Sequence, residues 1–348
     1  MKATLERRNE TQISSWNDSA AVRGVEETAT GAERWAAVCA TAGAAVWAGI
    51  AVLARVGVVR LGAIELLFLF APLVIVPLGL ELGRVLGGGG RIYELARRLQ
   101  PVGAALAVVA MVIPSGRVAG FLAVGWVVVC LLLAGDGLGK LLRALSKDAG
   151  GGARATLGAM GMAGVDLFVG GAWLVASRLG MRPMGIQEPI GLLTAVHFHF
   201  AGFATAMIGA AMLRFAERRG KHLWLRVLVL MVAGLPFAVA AGFVIAPALQ
   251  MAAAILFSVS IAGLAICLRA FGRRVEDASA RILLQVAAGA VFAGMILSGI
   301  YAVADYLGSD VLTIPQMVRT HGVLNAVGFC LPGLLGWLVE SGVRKPTH

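Results

Sequence analysis

The sequence predicts an all-α fold: a polytopic bundle of about ten membrane-spanning helices, N-in and C-in. Composition is the first observation behind it. Of 348 residues, 59% are hydrophobic and 14% charged, with a mean hydropathy of +0.85. Soluble domains carry about 25% charged and roughly 45–50% apolar residues, so the bilayer must solvate most of this apolar surface. The second observation is a series of apolar runs of spanning length. The third is the placement of the Lys and Arg residues between those runs.

A span needs about 20 mostly apolar residues. In chain order the runs fall at 35–54, 61–80, 101–116, 118–139, 155–177, 189–213, 225–245, 247–268, 282–304 and 314–339. The third is short and is closed by Pro114-Ser115-Gly116. With Arg226 and Arg319, which stand near span ends, counted to the adjacent loops, the 30 Lys and Arg divide among the eleven segments before, between and after these spans, and 24 of them lie in the odd-numbered segments. Cytoplasmic loops carry this excess, which puts the first segment, and after ten crossings the last, inside. Domain organisation follows as a polar cytoplasmic tail over 1–34 with the composition of unfolded chain, a ten-helix membrane domain over 35–340, and a cytoplasmic tail over 341–348. The expected location is the bacterial plasma (inner) membrane.

Several function classes are disfavoured. The formal charge of +11 is dispersed in loops such as Arg91 to Arg98, Lys140 to Arg154, Arg214 to Arg226 and Arg269 to Arg281, where it reads as topogenic rather than as a nucleic-acid surface. The four cysteines, Cys39, Cys130, Cys267 and Cys330, sit in apolar segments with no CxxC pair, against disulfides or a zinc–thiolate site. There is no GxxxxGK[ST], and Gly87 to Gly90 lacks the Lys of a phosphate loop. No segment between spans is long enough to bury a core of its own, so ATP-driven transport by this chain alone is not expected.

Ionisable groups inside a span are costly and mark candidate sites. Glu65 lies on the second span, Asp166 on the fifth, His197 and His199 on the sixth, and His321 with Asn325 on the tenth. Counted along helices from the outer end, Glu65 sits roughly 6 Å deep, His321 roughly 10 Å, His197 roughly 12 Å and Asp166 roughly 16 Å. These levels place one shared polar site in the outer half. His197 and His199 stand about 200° apart on a regular helix. They therefore cannot both serve one metal unless that helix is locally irregular. His321, Asn325, Gly328 and Pro332 share one stripe. Asp166 and Asp305 read as structural or interfacial.

LTAVHFHFAGF (193–203), HGVLNAVGF (321–329) and, less specifically, IELLFLFAPLVIVPL (64–78) resemble the YndJ-like family of bacterial membrane proteins, in the same order along about 35–340. The resemblance implies a multi-pass membrane protein of transporter type.

Three functional expectations follow. The first is a transporter or proton-coupled carrier whose substrate or ion site draws on Glu65, His197, His199, His321, Asn325 and Asp166, with Pro72, Pro77 and Pro236 supplying kinks. The second is a transition-metal or haem protein using His197, His199, His321 and Glu65 as ligands. The third is a non-catalytic membrane sensor or assembly partner whose polar residues are structural. The expected partners are the lipid bilayer and a small-molecule or ion ligand, with no nucleic acid.

Overall fold

The structure, a computed structural model, describes residues 35–146 and 150–343. The expected tail over 1–34 and the last residues of the C-terminal tail lie outside the described residues. Among the described residues, ten helices are long and apolar enough to cross a membrane: α1 (Trp35–Arg55), α2 (Ala63–Val85), α3 (Arg91–Val112), α4 (Arg117–Leu145), α5 (Gly151–Arg178), α6 (Ile190–Glu217), α7 (Leu223–Ile245), α8 (Pro247–Gly272), α9 (Ala278–Tyr306) and α10 (Ile314–Gly342). Ten crossings return the chain to its starting side. That side, with Trp35 and Gly342, is the near face, and the opposite side is the far face.

Several boundaries differ from the sequence reading, most consequentially in α3, α4 and α10. α3 begins at Arg91 rather than 101 and stops at Val112. Its charged first turns are helical because Glu94 accepts from Arg97 at 2.8 and 2.9 Å, while Arg97 lies over the Trp35 ring, 4.6 Å from its centroid. It stops early because a residue before proline avoids the helical region, and Ile113 is extended at ψ 156°. α4 continues past 139 to Leu145, so Lys140 is a buried helical residue and not part of a loop. Asp136, one turn earlier, pairs with it and supplies the countercharge that permits its burial. α10 runs on to Val343, so the tail set at 341 begins inside a helix.

α2 and α6 are the most deeply buried spans. The other spans pack around them as two series of neighbours, α3 on α4 on α5 and α7 on α8 on α9 on α10, joined where α5 meets α7. α4 and α5 meet on glycines: a Cβ on Gly137 would stand 2.6 Å from the Gly161 carbonyl oxygen. Small residues at such a crossing let backbones approach, and in lipid that van der Waals contact drives association. α1 lies on the outside of α2, where the Trp47 indole N–H donates to the Leu66 carbonyl at 2.7 Å.

Candidate functional site

Three helices lose regular α geometry at the same level. α2 widens into a π-turn over Ala71–Ile75, α6 over Phe198–Ala204, and α10 over Val318–Gly322 and Leu324–Cys330. The α6 segment packs against those of α2 and α10. In α2 the cause is Pro72 and Pro77, which lack N–H groups for the ladder; in α10 Pro332 follows the second π-turn. α6 has no proline there, but its loosened Phe200 carbonyl accepts from the Thr205 hydroxyl at 2.9 Å and has the Cys330 thiol of α10 at 3.8 Å. The Gln100 side chain of α3 likewise donates to the Pro72 carbonyl at 2.6 Å. Such π-turns are rare and cluster at functional sites.

The irregular turn of α6 separates its two histidines. His199 is fully buried. Its Nδ1 lies 2.7 Å from the Ala195 carbonyl, and its Nε2 accepts from the Trp126 indole N–H of α4 at 3.0 Å. The Phe68 ring of α2 packs edge-on against it, with centroids 5.1 Å apart. Both nitrogens are therefore engaged. His197 is exposed and points elsewhere, its Nδ1 2.7 Å from the Leu193 carbonyl. Across from it stands His321 of α10, with ring centroids 6.5 Å apart and planes 28° apart. His321 places Nδ1 2.9 Å from the Gly294 carbonyl of α9. In a neutral imidazole one nitrogen donates and the other accepts. With each Nδ1 facing a carbonyl, the lone pair is left on Nε2. His197 and His321 thus present two acceptor nitrogens near one another.

Asn325 lies one turn below His321 and donates to its backbone carbonyl at 2.7 Å. Its amide nitrogen also lies 3.2 Å from His321 Nδ1. Because that nitrogen already donates to Gly294, this second approach is packing rather than a hydrogen bond. On α7, five consecutive residues, Phe237 to Ala241, are all half-buried. Leu297, Ser298 and Gly299 of α9 are half-buried in the same way. His197 is exposed and His321 and Asn325 are half-buried, so the two rings stand in a crevice between α6 and α10 that is open at the surface of the bundle.

The other expected site residues stand apart. The Glu65 carboxylate accepts from the Gly62 backbone N–H at 3.0 Å and so caps its own helix. Asp305 accepts from Gln250 at 3.4 Å on an exposed edge. Asp166 is fully buried on α5, against Gly202 of α6. The proposed ligand set of His197, His199, His321 and Glu65 does not come together, because His199 is saturated and Glu65 is used as a cap. Among the described residues, no group of three or more His, Cys, Asp or Glu is arranged to hold a metal ion.

Sequence reasoning missed the partners: Trp126, Phe68 and the Gly294 carbonyl. It also missed a charged layer in the near half, where Glu81 pairs with Arg84 at 2.5 Å, Asp136 with Lys140, and the Tyr93 hydroxyl donates to the Leu80 carbonyl. The signal for the second pair was available in the i, i+4 spacing of Asp136 and Lys140.

No solved structure matches the chain. The chain is 30% identical over 176 residues to a protein of Bacillus subtilis (strain 168) described as "Uncharacterized membrane protein YndJ". The matched stretch covers 49% of this chain and 31% of that protein, so the chain spans about a third of its relative's length. The family model described as "YndJ-like protein" matches residues 66–329, most of the membrane domain and both histidine-bearing helices. On that match, the chain belongs to the YndJ-like family of membrane proteins.

Proposed function

We propose that this chain is a carrier of the bacterial plasma membrane that takes a small polar solute into the crevice between α6 and α10. The observation that supports it is the exposed His197 facing His321, two imidazoles whose Nε2 atoms have no partner among the described residues. Two acceptors favour a solute that presents donors, such as an ammonium or amide group. The π-turns beside them are the kind of helix interruption that transporters place at their binding sites. The basic loops support a cytoplasmic near face, so the crevice opens outward.

The test is a thermal-shift screen of purified protein with small amines, amides and amino acids, followed by counterflow of any hit in proteoliposomes. A solute of the site raises the Tm of the wild type and loses that effect in His197→Ala and His321→Ala. A hit that stabilises wild type and both variants equally refutes the reading. The separation of 6.5 Å also favours a second reading, a metal ion between two imidazoles. Two metal–nitrogen bonds of about 2.0–2.1 Å plus the half-widths of the rings fill such a distance. Metal analysis of the purified wild type decides this, and a metal-free protein removes it.

A further inference from the structure

Asp166 is the most anomalous polar residue in the bundle. It is 0% exposed, and neither carboxyl oxygen has a hydrogen-bond partner among the described residues. Most buried polar groups are partnered, and each exception calls for a reason. An ionised carboxylate without a partner in apolar surroundings is prohibitively costly. Something positive must therefore come to it, either a proton or a cation.

The backbone around Asp166 is built for close approach. A Cβ on Gly202 would stand 2.7 Å from the Asp166 Cβ and 3.1 Å from Oδ2, so α6 lies directly against the carboxyl at its π-turn. Gly164, about 200° around α5 from Asp166, and Phe203, next to Gly202 on α6, line a cavity of about 20 Å³ that the Asp166 side chain does not itself line. That is room for about one water. The same cavity is lined by Asp136 and Lys140 of α4 and Tyr93 of α3, with the Lys140 ammonium 5.0 Å from the Tyr93 ring centroid. The titratable groups around Asp166 are thus His199 of α6, one turn towards the far face against Gly170, and the Asp136–Lys140 pair with Tyr93 towards the near face. α7 also packs on α5, but its single titratable side chain is Arg226, at the near end. His199 has both nitrogens engaged, so the open direction is towards the near face.

We propose that Asp166 is a mid-membrane proton-binding site that exchanges with the near face through this cavity and the Asp136–Lys140 pair. The carboxyl turns past Gly202 towards the cavity, and a proton leaves an Asp166 oxygen for the cavity water, which passes one of its own to the Asp136 carboxylate. The water is regenerated and no electron moves. A proton needs no room beside the carboxyl, whereas Na⁺ needs a shell of oxygen ligands. The site is separate from the crevice and does not depend on the carrier reading.

Infrared spectroscopy of the full chain in liposomes tests the proposal without any transport substrate. The wild type should show a carboxylic C=O band that is missing in Asp166→Asn and that shifts within seconds of transfer to D₂O. Two variants leave Asp166 in place and block the route: Asp136→Leu/Lys140→Met, which removes both charges together, and Tyr93→Phe as a milder change should the first fail to fold. Slower exchange by about tenfold or more in the folded variants, a barrier raised by about 1.4 kcal/mol, is the expected result. Exchange at the wild-type rate in the folded variants overturns the route. A band that never exchanges overturns the proton site. A carboxylate band that responds to NaCl but not KCl overturns it in favour of Na⁺.

Discussion

His199 and His197 are two residues apart, yet they should fail differently when mutated. The Trp126–His199 hydrogen bond is 3.0 Å long and both residues are 0% exposed. Trp126→Phe removes the donor and leaves Nε2 buried with nothing to accept. Hydrogen bonds between membrane helices average only about 0.6 kcal/mol, with a maximum near 1.7, because the unfolded chain in the bilayer finds other partners. An orphaned buried acceptor costs about 1–3 kcal/mol. With no second donor at this nitrogen, the loss should lie where the two ranges overlap, at about 1–2 kcal/mol. Reversible unfolding in mixed micelles measures it. His199→Phe should cost a similar amount, and the double variant Trp126→Phe/His199→Phe less than the sum, with a coupling of about 1 kcal/mol. Purely additive losses, or a Trp126→Phe protein as stable as wild type, would refute the claim that this bond holds α4 to α6. Neither variant should alter binding of a solute that depends on His197.

The remaining predictions are shorter. Removing one member of the buried Asp136–Lys140 pair leaves an unpaired charge, so Lys140→Met alone should lose about 3–5 kcal/mol, and adding Asp136→Leu should restore most of it; chemical denaturation checks both. Glu65→Ala should lower stability by about 0.5–1 kcal/mol, since it removes one exposed hydrogen bond at the start of α2, and solute affinity in the thermal-shift assay should stay unchanged. Ser115 and Ser146 are exposed at opposite ends of α4 and its preceding turn. With the near face cytoplasmic, an impermeant maleimide added to intact cells should label Ser115→Cys and leave Ser146→Cys unlabelled.

Much of the architecture was legible because the bilayer imposes it. A helix must supply about 20 mostly apolar residues to cross, and nine of the ten runs do so, the third being completed by the charged first turns of α3. The errors came where charge entered a helix. Arg91 to Arg98 and Lys140 looked like loop because an isolated charge does not belong in lipid, but i, i+3 and i, i+4 partners made them helical. The site was harder to read. Regular geometry put His321, Asn325, Gly328 and Pro332 on one stripe; the π-turn over Leu324–Cys330 shifts that register, although His321 and Asn325 still face Gly294. Proline marks two of the three irregular helices, and nothing in the composition of Phe198–Ala204 announces the third. The engagement of His199 by Trp126 joins residues 73 positions apart, a pairing that no local pattern encodes.

The two halves of the bundle solve the problem of polarity in lipid in opposite ways, and this bears on which half can bind. In the near half, Glu81 has Arg84 and Asp136 has Lys140, so each charge carries its own neutraliser within one helical turn. A ligand entering there would have to break a short-range pair before making a new contact. In the far half, the polar groups of the crevice are neutral, spread over α6 and α10, and incompletely satisfied, with Nε2 of His197 and of His321 left over. Nothing has to be broken for a donor to reach them, and His197 is already exposed. Interactions that gain without first losing favour recognition, since only the surplus over desolvation and ordering appears as affinity. On this reasoning His321→Ala should abolish solute binding while removing little stability, because the Nδ1 contact to Gly294 is a single partly buried hydrogen bond. A His321→Ala protein that fails to fold would instead assign the residue to the α9–α10 contact and leave the crevice without its second acceptor.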